Sequence, residues 1–182
     1  YKQKWSWAGL RLAIMLVTIL MPFISLYVYT LFTTEFLKAN KFLLYAAAED
    51  RLEIWSFVSQ AILDNPSFGY GLHTTRLIEF DAPIVNWKSN TVLHPHNIAL
   101  QLWLELGLPV LFLFCGLISM ILKFLRPKVQ TRTDCFWLAS FAGWLTIAFF
   151  GYGAWQGWFA GFTITLCAVW FAIHNIEKTR SQ

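Results

Sequence analysis

The chain has 182 residues, of which 57% are hydrophobic and only 13% charged, and its mean hydropathy is +0.52. A soluble domain carries about 25% charge, so a soluble enzyme, a disordered regulator and a disulfide-built secreted scaffold are excluded. The net charge of +4 asks for no nucleic-acid partner, because the basic residues sit beside apolar segments, and Cys115, Cys135 and Cys167 have neither the number nor the spacing of a disulfide framework or a metal site.

The expected fold is all-α: a polytopic membrane helix bundle with about four transmembrane helices and a partly helical periplasmic segment. Because the chain starts at Tyr1 without a signal-peptide pattern, residues 1–182 read as the C-terminal part of one integral-membrane domain. A helix needs about 20 apolar residues to cross the hydrocarbon core. Residues 12–32 and 98–122 meet that length; residues 135–150 and 158–173 are shorter and are joined by the Gly-rich stretch 151–157, as in a helical hairpin.

Lys2, Lys4 and Arg11 precede the first span; Lys123, Arg126, Lys128 and Arg132 separate the second and third; Lys178 and Arg180 follow the fourth. Basic short loops stay cytoplasmic, which places both termini inside and residues 33–97 outside, on the periplasmic face of a bacterial inner membrane. Gly153, Gly157 and Gly161, four apart, read as a helix-packing stripe without chemistry.

Polar residues in such a chain mark sites or partners. In residues 49–64 Trp55, Val58 and Ile62 share one helical face, with Glu49, Glu53, Gln60 and Asp64 opposite, as in an amphipathic helix resting on the membrane or the bundle. Arg51 projects from the apolar face, where it snorkels, pairs with a bundle carboxylate, or binds an anion. Next comes Asn65-Pro-Ser-Phe-Gly-Tyr-Gly71, a tight turn or a loop that approaches a ligand through Gly69 and Gly71, with His73 and Arg76 behind it.

In His94-Pro-His-Asn97, Pro95 fits the first helical position, making His94 the cap and His96 and Asn97 first-turn residues. Asn97, Gln101 and Glu105 then form a polar stripe on an apolar helix, with Glu105 facing the bundle interior, hydrogen-bonded or paired with an arginine such as Arg51. Gly107 and Pro109 should break the helix just beyond it. The helix start with Arg51 and Arg76 suits a pyrophosphate. His94 and His96 with His73 as third ligand make a weaker metal reading, because a helix would point the first two apart.

Arg51-Leu-Glu-Ile-Trp55, Asn65-Pro-Ser-Phe-Gly-Tyr-Gly71 and His96-Asn-x9-Gly107 with its internal Glu105, in this order, resemble the C-terminal half of the O-antigen ligase family. The resemblance implies a membrane glycosyltransferase without metal or cofactor. Its donor would be an undecaprenyl-pyrophosphate-linked glycan and its acceptor a lipid A-core oligosaccharide, for a ligase, or another glycan, for a polymerase. It carries His96 over as the essential histidine and Arg51 as the arginine on the donor pyrophosphate, with His96 as general base or as a phosphate ligand. Arg76, His94, Asn97, Gly69, Gly71 and Glu105 are the accompanying substrate-binding candidates.

Val110 departs from the family, which often has a second glycine there. A further family arginine and further spans would lie outside these residues, so the fragment alone is expected to be inactive. The rival readings are an ion-coupled transporter subunit, with Glu105 and the histidines as an ion path, and a non-catalytic scaffold of envelope assembly.

Overall fold

A computed structural model describes residues 2–32, 46–80, 89–125, 132–151 and 153–180. Five helices carry the chain: α1 (Lys2–Leu31), α2 (Ala46–Asp64), α3 (Ile98–Phe124), α4 (Arg132–Phe150) and α5 (Gly157–Arg180), with a 3-10 turn at Thr74–Leu77. No β-strand occurs among the described residues. Four segments are long and apolar enough to cross a membrane, namely Trp7–Leu31, Ile98–Phe124, Thr133–Phe150 and Gly157–Ile176. The protein is therefore an all-α, multi-pass membrane protein.

α3 is the organising element. Its first two turns, Ile98–Glu105, are buried residue after residue, because α2, the 66–77 loop and the α4–α5 connection close around them. α2 packs on α1 and α3, burying Ile54, Val58 and Ile62 completely against Leu100, Trp103 and Leu104. A period of 3.6 residues puts Ile54, Val58 and Ile62 in one row, and each such burial contributes about 1.5–3 kcal/mol.

The polar side of α2 is only partly solvated. Gln60 and Asp64 are exposed, but Glu53 is 8% exposed and Asp50 6%. A helix wrapped by α1 as well as α3 has too little free circumference to keep every carboxylate in water. α2 is thus a packed member of the bundle.

The break beyond Glu105 falls at Gly107, with φ 79° and ψ −180° inside an otherwise continuous helix. Pro109 has no N–H to offer the Glu105 carbonyl, and the Leu108 N–H turns to the Ser67 carbonyl at 3.2 Å. The freed Leu104 and Glu105 carbonyls accept from the Tyr70 and Gly71 N–H groups, each at 2.8 Å.

The 65–71 loop is thereby stitched to the helix backbone. Gly69 (φ 67°) lies so close that a Cβ would sit 2.7 Å from the Leu104 oxygen, and a Cβ on Gly107 would meet the Ser67 oxygen at 2.5 Å. Trp103 adds an indole bond to the Pro66 carbonyl, 2.8 Å, and Asn65 closes the turn onto the Gly69 carbonyl, 2.9 Å.

Candidate functional site

Trp55 sets the geometry. Its indole donates to the Pro95 carbonyl at 2.7 Å, fastening α2 to the His-Pro-His segment. Arg51, one turn earlier on the same face, is half-buried and close enough to His96 to act on its charge state. Among the described residues the Arg51 guanidinium has no hydrogen bond and no carboxylate partner. Of the two expectations for Glu105, hydrogen bonds rather than a pair with Arg51 are what form.

The helix start also differs from expectation. Asn97, not His94, is the N-cap of α3: its backbone is extended (φ −153°) and its side-chain oxygen accepts from the Leu100 N–H at 3.1 Å. Asn is among the strongest N-caps, and it outcompetes the Pro95 signal. His96 consequently lies before the helix, in the left-handed region at φ 55°. That turn brings the His94 and His96 rings together, edge to face with centroids 4.2 Å apart, where a helix would have parted them.

The His96 Nδ1 lies 2.6 Å from the Gly151 carbonyl oxygen. A carbonyl only accepts, so Nδ1 carries the proton and Nε2 of the neutral ring holds the lone pair. Burial pushes the His96 pKa down; the Gly151 bond works the other way, and the Arg51 charge again favours the neutral ring. His94, 8% exposed, is pushed down to about 4, first by burial and then by repulsion from His96.

Glu105 is 1% exposed and is met by donors alone. Oε2 accepts from the His73 backbone N–H at 2.8 Å and the Trp155 indole at 2.6 Å; Oε1 accepts from the Thr75 hydroxyl and from Gln101 Nε2 at 3.3 Å. Gln101 in turn accepts from the Ala154 N–H at 2.7 Å. The carboxylate thus ties α3, the 73–75 turn and the α4–α5 connection to one point.

Of the residues singled out in the sequence, Arg51, His94 and His96 come together. Arg76 does not join them: it is exposed, and its hydrogen bond among the described residues is to His73, Nη2 to Nδ1 at 3.1 Å. The hydrogen bonds of Asn97, Gly71 and Glu105 described above run into the protein, and Gly69 is pressed on the α3 backbone. No cluster of three His, Cys, Asp or Glu side chains suited to a metal occurs among the described residues.

The connection at residues 151–156, expected to be a plain hairpin turn, supplies partners to the whole site. Gly151 holds His96, Ala154 holds Gln101, Trp155 holds Glu105, and Gln156 Nε2 lies 2.9 Å from His94 Nε2. Gly153 is pressed on His94, where a Cβ would come within 2.9 Å of the ring, whereas Gly157 and Gly161 have nothing within 4 Å. Among the described residues, only Gly153 of the three expected stripe glycines meets a neighbour. A polar Gln and a Trp next to an apolar span were the available signal.

Residues 1–115 match the O-antigen ligase family. The chain belongs to this family. It is 33% identical over 117 residues to a Rickettsia conorii protein named "Putative polysaccharide ligase", covering 62% of this chain and 28% of that protein. A Rickettsia prowazekii protein of the same description is 31% identical over 135 residues, covering 70% of this chain and 31% of that protein. The chain spans about a third of the length of these relatives, and no solved structure matches it. The family match includes Arg51, His96 and Glu105 but stops before the 151–156 connection.

Proposed function

We propose that the protein is a membrane glycosyltransferase that moves a glycan from undecaprenyl pyrophosphate to an acceptor hydroxyl on the periplasmic side of the bacterial inner membrane. The acceptor is the lipid A-core oligosaccharide or another lipid-linked glycan. The observation that carries this reading is the half-buried Arg51, without a hydrogen bond or carboxylate partner among the described residues, beside a His96 whose Nδ1–H is held by the Gly151 carbonyl and whose Nε2 therefore bears the lone pair. A guanidinium held partly out of water without a counter-charge is unfavourable, and a diphosphate is the anion whose geometry its planar fork matches.

In the reaction the acceptor oxygen attacks the anomeric carbon, so a new C–O bond forms as the bond to the diphosphate oxygen breaks. The hydroxyl proton passes to His96 Nε2, and the departing charge stays on the diphosphate beside Arg51. A base near its working pH serves such a step. The Gly151 carbonyl fixes the ring and stabilises the imidazolium that forms. Glu105, saturated by four donors, frames the site rather than offering an ion path.

The test is transfer by purified full-length protein from a synthetic undecaprenyl-pyrophosphate glycan in EDTA. His96→Ala should lower the rate by about 10²–10⁴-fold, and Arg51→Lys should also fail, because an ammonium lacks the two-pronged contact. Near-normal transfer by His96→Ala refutes the base assignment.

A further inference from the structure

The connection between α4 and α5 lies outside the region that matches the family, yet it ends on both histidines. Trp158 on α5 donates its indole N–H to Gln156 Oε1 at 2.6 Å. An indole N–H only donates, so the Gln156 amide is turned with its NH2 toward His94, 2.9 Å from the ring Nε2. An NH2 group also only donates. His94 Nε2 must then hold a lone pair, and the ring proton sits on Nδ1.

Protonating His94 at Nε2 would set N–H against NH2. Turning the amide over would set its NH2 against the Trp158 indole instead. Either way one hydrogen bond is lost, so the Trp158–Gln156 pair disfavours the His94 cation. The missing Cβ of Gly153 leaves the space in which the ring is held.

We infer that Gln156, oriented by Trp158, is a positioning residue that keeps His94 neutral so that His96, 4.2 Å away between ring centroids, can take up the acceptor proton. This rests on the reading of His96 as the base. Among the groups that face the pair are Arg51 from α2, and the uncharged Gly151 carbonyl and Gln156 amide from the α4–α5 side. With Arg51 already present, a cationic His94 would leave no room for a second imidazolium. Burial of His94 acts in the same direction as the amide.

Gln156→Glu keeps the size of the side chain and the Trp158 bond but turns a donor into an acceptor that stabilises protonated His94. In full-length protein, the acid limb of the kcat/KM profile for the synthetic donor should move up by at least about 1 pH unit, with rates above the limb near those of the wild type. The 15N signal of His94, assigned by its loss in His94→Asn, should show an imidazolium at pH 6 only in Gln156→Glu. Trp158→Phe, which frees the amide, should move the limb the same way by less, and serves if Gln156→Glu accumulates poorly. An unmoved limb in these variants, with His96→Ala inactive, overturns the inference and leaves the transferase reading standing. An active His96→Ala overturns the reading beneath it.

Discussion

Glu105→Gln replaces one carboxylate oxygen with an NH2 group of equal size, in a pocket that supplies four donors. If the new nitrogen takes the Oε2 position it faces the His73 N–H and the Trp155 indole, neither of which accepts. In the Oε1 position it faces Gln101 Nε2 and the Thr75 hydroxyl, which can turn round to accept. The second orientation is cheaper: the 3.3 Å Gln101 bond is lost, about 1 kcal/mol, and three charge-assisted bonds become neutral ones, about 1 kcal/mol each. Relief from burying a charge offsets part of that sum. A net loss of about 2 kcal/mol is expected.

Thermal unfolding of the full-length protein in detergent reads this as a fall of several degrees. Glu105→Ala should fall further, since it strands every donor. A Glu105→Gln protein that melts within about 1 °C of the wild type, or above it, refutes the account of Glu105 as the acceptor that ties the three segments together.

Gly69→Ala should destabilise strongly, because its Cβ would lie 2.7–2.8 Å from the α3 backbone at φ 67°, whereas Gly116→Ala, with nothing within 4 Å, should be neutral or stabilising; equal melting temperatures would contradict the stitched loop. Acid should weaken the fold through His94. Its folded pKa of about 4 lies below the ordinary 6.5, so the unfolded chain binds the proton first and stability is lost as pH falls from about 6.5 toward 4. His94→Gln should flatten that slope in melts across this range, and an unchanged slope would count against a buried neutral His94. The proposed orientation is checked with an impermeant thiol reagent on intact cells. Gln60→Cys, at an exposed position, should label and the exposed Thr179→Cys should not; Ser59 is buried and unsuitable.

Composition alone determined the membrane class and the all-α fold, since a chain with so little charge and such long apolar runs satisfies its backbone in lipid only as helices or as a closed barrel, and runs this long are helical. Gly107 followed by Pro109 likewise determined the break in α3, because a missing N–H and a left-handed φ are local facts. Motif order identified the family. Tertiary structure decided what each polar residue does. Whether Arg51 pairs with Glu105 depends on which segment reaches the carboxylate first. The 73–75 turn, Gln101 and Trp155 occupy both its oxygens, and Trp55 fastens Arg51 beside His96 instead. The His94–His96 contact was hidden because it depends on a left-handed turn that the Gly151 carbonyl, 55 residues away, helps to hold. Periodicity reports which face of an element is apolar, but not which distant backbone group will meet a side chain once the elements pack.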